Sequence, residues 1–132
     1  MEEFPPGDVL VIAAAVLETT PEELLSRTRM DAVAAAVQAP FVTLNGKMLF
    51  PHPVERAAVL AERIVLNRPF PAGNDRVALI CLTMTLESAS YRLTASEDQT
   101  VEMFRRLGGR GERLAEEDFR AWVRENVERL NP

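Results

Sequence analysis

One stretch of the chain gathers most of the side chains that could act together in chemistry. Residues 67–78 read Asn-Arg-Pro-Phe-Pro-Ala-Gly-Asn-Asp-Arg-Val-Ala. Pro69 and Pro71 end one helix, because proline lacks an N–H group and clashes with the preceding turn. Gly73 and Asn74 then begin a second helix. Free N–H groups at a helix start attract anions, so the stretch predicts an anion site of phosphate size.

The other residues with chemical potential occur singly. His52 is the only histidine and Cys81 the only cysteine. An intrachain disulfide is therefore excluded, and the single histidine argues against a His-rich metal site and against a Ser-His-Asp triad on the loop. Cys81 lies in an apolar helical pattern, which favours a buried, inert thiol. His52 precedes Arg68 by sixteen residues, and we interpret it as a partly exposed structural side chain, not a substitute base.

Two apolar helices must position the loop. Before it, residues 54–67 place apolar side chains at helical spacing behind Pro53, which suits a first helical position. After it, residues 74 to about 88 form a helix that is apolar on most sides. A helix of this kind belongs in the interior, so we place it at the centre of the fold.

The remaining helices are predicted from periodicity and capping signals. They cover residues 9–17, a short helix after Thr20, residues 32–38, a helix capped by Ser96 and closed by Gly108, and residues 115–130. The first is apolar all round and is expected to be buried. The last has a predicted buried stripe of Phe119, Trp122, Val123, Val127 and Leu130.

Residues 41–50 are the one credible β element. They surround Asn45-Gly46 with β-type residues, which is the strongest short signal for a hairpin. The hairpin either covers the glycine loop as a flap or simply connects two helices, and the residues alone do not separate these readings. Residues 91–94 are predicted as a short extended link.

Composition indicates one domain over residues 1–132, with 47% hydrophobic and 27% charged residues. The net charge of −5 argues against a nucleic-acid surface, so no direct DNA binding is expected. The beginning of the chain is acidic and contains prolines, unlike a signal peptide, and no apolar run reaches membrane-spanning length. We therefore expect a cytoplasmic protein without a membrane partner.

The residues around the loop resemble the Fic/Doc (death-on-curing) family. Its signature is His-Pro-Phe-x-Asp/Glu-Gly-Asn-Lys/Gly-Arg, with an Asn before the His and paired alanines in the preceding helix. Here Ala57 and Ala58 supply the alanines, and residues 67–76 supply a degenerate form of the signature. The resemblance spans residues 8–130, with the hairpin at the position of the family's flap. It implies a compact all-α bundle with one small β-hairpin before the motif helix pair.

The resemblance also implies a reaction. Family members transfer AMP, or in the death-on-curing branch a phosphate, from a nucleotide to a hydroxyl of a target protein. That branch is the toxin of a toxin–antitoxin pair and acts on elongation factor Tu. The motif His is the general base, the acidic residue holds Mg²⁺, Gly-Asn cradles phosphates and the Arg clamps them. The flap docks the target by strand addition.

Part of this machinery is present in the chain. Phe70 takes the position of the loop anchor. Gly73 and Asn74 keep the phosphate cradle, and Arg76 keeps the clamp, for which a guanidinium is well shaped. The residues at the place of the target-docking flap are Leu44, Asn45, Gly46 and Lys47.

Three other motif positions have changed. Arg68 stands at the catalytic His, and arginine stays protonated, so it cannot accept a proton from a hydroxyl. Ala72 stands at the Mg²⁺ ligand and has no side-chain oxygen, which argues against a metal site. Asp75 replaces Lys or Gly; its charge suits a helix start but repels phosphate. A displaced metal ligand or base is the alternative reading of Asp75.

Two functions therefore remain, besides the plainer possibility of a helical interaction domain whose loop is only structural. The first is a Fic/Doc-type toxin component, related to AMP and phosphoryl transferases, with impaired catalysis. The second is a non-catalytic module that binds a nucleotide or anion through Gly73, Asn74, Arg68 and Arg76, or that binds only protein. The resemblance implies ATP or another nucleotide as ligand, an antitoxin-like partner and a translation factor as target. Surface ion pairing is the plainer explanation of both arginines.

Overall fold

Helices make up most of this fold, which the computed structural model describes for residues 3–130. The helices are α1 (Pro6–Val16), α2 (Pro21–Leu25), α3 (Met30–Gln38), α4 (Pro53–Asn67), α5 (Asn74–Ser88), α6 (Glu97–Leu107) and α7 (Glu116–Glu125). A 3₁₀ turn covers Ala39–Phe41, and the strands are β1 (Thr43–Leu44), β2 (Lys47–Met48), β3 (Tyr91–Leu93) and β4 (Val127–Arg129). The predicted all-α fold with a small hairpin is confirmed.

The helix pair α4–α5 forms the centre of the bundle. Helices α3 and α7 pack on α4, whereas α1 and α6 pack on α5. Both central helices bury long apolar stripes, and Phe104 of α6 and Phe119 of α7 meet at a ring-centroid distance of 5.7 Å. The loop between Asn67 and Asn74 therefore lies at one end of the most enclosed pair of helices.

Helix α1 is less buried than its sequence predicts. Val9, Leu10, Ala13 and Ala14 face the core, but the side chain of Val11 is 55% exposed. The expectation of burial on all sides was wrong, because within residues 3–130 α1 packs closely on α2, α3 and α5, which leave part of its surface uncovered.

The predicted helix over residues 115–130 is too long at its carboxyl end. Helix α7 ends at Glu125, and β4 pairs antiparallel with β3, matching Leu93 to Val127. Phe119 and Val123 are buried as predicted, but Leu130 is 43% exposed. The residues predicted as an extended link thus form one strand of a second small sheet.

The hairpin forms where the Asn-Gly signal predicts it. Asn45 and Gly46 both adopt positive φ values, 54° and 78°, as a tight two-residue hairpin turn requires. In this register Val42, Leu44 and Leu49 share one face of the hairpin, and their side chains are 45%, 64% and 51% exposed. The hairpin therefore presents an outward apolar face.

The base of the hairpin is attached to the first turns of α4. Nη1 of Arg56 donates to the carbonyl oxygen of Pro51 at 3.1 Å, and its guanidinium lies 5.6 Å from the centre of the Phe41 ring. Arg120 of α7 lies 5.3 Å from the centre of the Phe50 ring. These contacts hold both ends of the hairpin segment and leave its tip exposed.

A buried carboxylate lies between α4 and α7. Glu62 is 2% exposed and accepts hydrogen bonds from Arg120 at 2.8 Å and Arg63 at 3.2 Å. Burial raises the pKa of Glu62 above its ordinary value of 4.5, although both arginines oppose the rise. Folding therefore favours the protonated form of this side chain.

The raised pKa of Glu62 predicts a pH effect on stability. The folded state holds its proton at a higher pH than the unfolded state, so this group destabilises the fold increasingly as pH rises through the raised pKa. In urea unfolding between about pH 4 and pH 7, the unfolding free energy of the natural chain should fall relative to that of Glu62→Gln as pH rises. If the unfolding free energy of the natural chain instead rose with pH relative to that of Glu62→Gln, the raised pKa of Glu62 would be contradicted.

Across the described range 3–130, none of the helices combines the length and apolar character needed to cross a membrane.

Candidate functional site

The loop between α4 and α5 is closed by one buried amide. The Asn74 side chain is 2% exposed. Its Oδ1 accepts from the backbone N–H of Phe70 at 3.0 Å, and its Nδ2 donates to the Phe70 carbonyl oxygen at 2.9 Å. Phe70 itself is 4% exposed and anchors the loop in the core. Because both polar atoms of Asn74 bond to the loop, its side chain supports the loop from within.

The first turn of α5 offers free donors. Within residues 3–130, the backbone N–H groups of Asn74, Asp75 and Arg76 have no hydrogen-bond acceptor, whereas the N–H of Val77 already donates to Gly73. Gly73 adopts φ +72°, and a Cβ there would lie 3.1 Å from the Val16 side chain. Glycine thus allows the loop to approach α1 closely, and the helix start remains able to receive an anion.

Arg68 occupies a strained position at the end of α4. Its φ and ψ angles of 46° and 59° are left-handed, which is unusual for a residue other than glycine. The side chain is exposed. Position 68 therefore carries an accessible cation at the end of α4.

Arg29, from the turn before α3, binds the same segment. Its Nη2 donates to the carbonyl oxygens of Asn67 and Arg68, the latter at 2.7 Å, and its backbone N–H donates to the Pro69 carbonyl oxygen at 2.9 Å. The sequence patterns do not identify this residue. It lies 39 positions from Arg68 and bonds only to backbone, so no side-chain pattern reports it.

Asp75 is paired with a cation from another element. Its Oδ2 accepts from Arg110 Nη2 at 2.5 Å. Arg110 lies in the glycine-rich turn after α6 and was not predicted as a site residue. The pair offsets the negative charge that Asp75 places at the start of α5, so the repulsion of phosphate expected from the sequence is reduced. The sequence signal that could have pointed to Arg110 is its position between two glycines, Gly109 and Gly111.

Arg76 lines a groove between the first turns of α5 and α6. The groove has a volume of about 370 Å³ and is lined by Gly73, Asp75, Arg76, Leu79, Glu97, Asp98 and Val101. Arg76 is exposed, and among residues 3–130 it forms no ion pair. Its guanidinium is therefore free to contact a ligand beside the helix start.

The side chains near the loop do not form a metal site. Ala72 is exposed and offers no oxygen from its side chain. In the part of the chain that the structure describes, no three His, Cys, Asp or Glu side chains lie together as metal ligands. The residues present at the motif therefore do not fit the Mg²⁺ ion that the family resemblance implies.

His52 lies far from the loop. Its Nδ1 accepts from the Val54 N–H at 3.1 Å, so it caps the amino end of α4. His52 and Arg68 flank the 15-residue helix α4, and a rise of 1.5 Å per residue separates them by about 24 Å. Its side chain is exposed and caps a helix, which agrees with the structural role predicted for it and excludes it as a base at the loop.

Cys81 is a core residue. It is fully buried in α5, and burial raises the pKa of its thiol to about 12. A nucleophilic cysteine requires a thiolate near neutral pH, so Cys81 takes no part in the chemistry of the loop.

The described residues thus define a class of compact helical bundle, in which the loop between the two central helices carries free backbone donors and the exposed arginines Arg68 and Arg76 lie at its start and just after its end in sequence. Within that class the sequence identifies the family. Residues 3–86 match the Fic/DOC family, which covers more than half of the chain, and the protein belongs to that family. Comparison with curated proteins and with solved structures gave no match. The matched segment contains α1 to α4, the hairpin, the loop and most of α5.

Proposed function

We propose that this Fic/DOC protein has lost transferase catalysis and binds a phosphate-bearing ligand, such as ATP or another nucleotide, at the start of α5. The observation that carries the proposal is the exposed Arg68 at the position of the family's catalytic base. A guanidinium cannot take a proton from a hydroxyl, but it can pair with phosphate. General base catalysis contributes about 10²- to 10⁴-fold to such reactions, so its loss alone is severe.

The geometry of the loop supports anion binding without Mg²⁺. The three free N–H groups of Asn74, Asp75 and Arg76 point away from the helix, and Arg68 and Arg76 add two cations. Arg110 offsets the charge of Asp75. In active relatives a metal supplies much of the charge neutralisation, and here arginine side chains take over that part of the binding.

Calorimetric titration with ATP and GTP tests this proposal. Arg76→Ala should weaken nucleotide binding by about 10- to 100-fold, as expected for hydrogen bonds to a charged group. Adding Mg²⁺ should not strengthen binding. Arg92→Ala is the matched control: it removes another exposed cation, on β3, paired with Glu128, and should leave affinity unchanged.

The same titration separates the alternatives. Binding that survives Arg76→Ala unchanged would place the ligand elsewhere. If neither nucleotide binds under any condition, the protein is a protein-interaction module on the same fold. Transfer of AMP or phosphate to elongation factor Tu at the rate of active relatives would overturn the loss of catalysis.

The interaction module is favoured by one specific observation, the outward apolar face of the hairpin. Its residues Val42, Leu44 and Leu49 are exposed together, and large apolar patches commonly mark protein interfaces. Residues Leu44, Asn45, Gly46 and Lys47 would then dock a protein segment, with strand addition at the free edge of β1 or β2. A translation factor is the target suggested by family analogy.

We also propose a toxin–antitoxin context for this chain. Proteins of the Fic/DOC family are commonly paired with antitoxins. Copurification with the product of a neighbouring short reading frame, and relief of a growth defect by that product, would support this role. Absence of any growth effect on expression would argue for the binding module alone.

A further inference from the structure

The backbone at Arg68 needs an external restraint. A left-handed conformation brings Cβ of an L-residue close to the following carbonyl oxygen. Arg68 also precedes Pro69, and a residue before proline favours an extended conformation. The angles of 46° and 59° at Arg68 therefore oppose two local preferences. Conformations of this kind persist only where the surrounding structure imposes them.

Arg29 donates hydrogen bonds to the backbone on both sides of this strained residue. It donates to three consecutive carbonyl groups, those of Asn67, Arg68 and Pro69, two through its guanidinium and one through its backbone N–H. Carbonyl groups at the end of a helix have no partner inside the helix, so they are open to such donors. The left-handed turn at Arg68 is the point where these carbonyl groups converge on Arg29.

The side chain of Arg68 does not hold itself in place. Over residues 3–130 its guanidinium makes no hydrogen bond and no ion pair, while its backbone N–H donates to the Ile64 carbonyl oxygen at 3.0 Å. The direction of the Cα–Cβ bond at position 68 is thus set by the backbone conformation. Whatever fixes the backbone therefore limits the region that the cation at position 68 can reach.

We propose that Arg29 is a positioning residue that holds Arg68 in the left-handed conformation and so directs the Arg68 cation at the ligand site. The effect on the backbone stands by itself, while the effect on ligand binding rests on the proposed function. Arg29 acts through Arg68 and has no contact with the ligand in this proposal.

A double-mutant cycle on stability tests the backbone effect. Arg68→Gly removes the strain and should lower the equilibrium constant of unfolding by about two- to fivefold in the natural chain. In an Arg29→Met background residue 68 is free to relax, so the gain from Arg68→Gly should vanish. Arg106→Met is the control, because Arg106 also donates from its guanidinium to a turn carbonyl, that of Glu112, at 3.0 Å. The gain should persist in that background.

A second cycle measures ATP binding. Arg29→Met should weaken affinity about tenfold, as much as Arg68→Ala does, and the double variant should lose nothing more. Losses that add fully, or equal gains from Arg68→Gly in all three backgrounds, would overturn the positioning role. If the natural chain binds neither ATP nor inorganic phosphate, the proposed function fails, and the stability cycle still decides the role of Arg29.

Discussion

A variant that carries Arg68→His, Ala72→Asp, Asp75→Lys and Arg110→Asp should transfer AMP or phosphate from ATP at least about 100-fold faster than the natural chain. The first two changes supply the general base and the Mg²⁺ carboxylate whose absence the proposed function assumes. The third restores the lysine of the family motif. Histidine tolerates left-handed backbone better than most residues, so position 68 accepts it without new strain.

The fourth change follows from the structure. Arg110 pairs with Asp75 at 2.5 Å, so a lysine placed at position 75 would face another cation and be repelled. Reversing both charges keeps the ion pair. We therefore expect the quadruple variant to be more stable than the triple variant with native Arg110, and thermal unfolding measures the difference.

The decisive assay follows labelled phosphate or AMP from ATP onto elongation factor Tu. The control is a matched quadruple variant that carries Arg68→Gln instead of Arg68→His, which keeps the metal ligand and the reversed ion pair but lacks a base. Activity in the histidine variant and none in the glutamine variant would show that catalysis was lost at the loop. A folded histidine variant without activity would mean that target recognition has also diverged.

Asn74→Ala should lower the free energy of unfolding by about 2–4 kcal/mol. The substitution leaves the N–H and the carbonyl group of Phe70 without their partners inside the loop. Each buried polar group without a partner costs about 1–3 kcal/mol. Because the loop joins α4 to α5, the loss should be felt by the whole bundle, and urea unfolding measures it.

Asn67→Ala is the matched control for this experiment. Among the described residues, the Asn67 side chain makes one long hydrogen bond, to the Ala32 carbonyl oxygen at 3.4 Å, so its loss should cost less than about 1 kcal/mol. Equal losses for the two variants would contradict the role given to Asn74. If the difference is found, stability alone explains an asparagine at position 74, and its presence is no evidence for surviving chemistry.

The central helices could be predicted because their signals are local. Periodic apolar residues, Pro53 before α4 and the Pro-Gly segment before α5 all act within a few residues of the boundary they set. The hairpin turn at Asn45 is local for the same reason. These elements flank the loop between α4 and α5, so its place in the fold was predictable.

The second sheet could not be predicted in this way. Val127 continues the helical spacing of Phe119 and Val123, so local periodicity extends α7. The helix ends instead at Glu125, and the carbonyl oxygen of the next residue, Asn126, accepts from Thr94 N–H at 2.7 Å. A partner far away in sequence decided the structure here. Arg29 and Arg110 escaped prediction for a similar reason, since each contacts the loop only after distant segments have packed.

The pairing of β3 with β4 also has a consequence for the order in which the chain assembles. The pair α4–α5 is a hairpin of neighbouring helices and can form with little loss of chain entropy. Along the chain, α6 and α7 lie between β3 and β4. We therefore expect the two strands to pair after both helices have docked. This ladder should accordingly open more readily than the central pair α4–α5, so amide protons in β4 and α7 should exchange with solvent faster than those in α4.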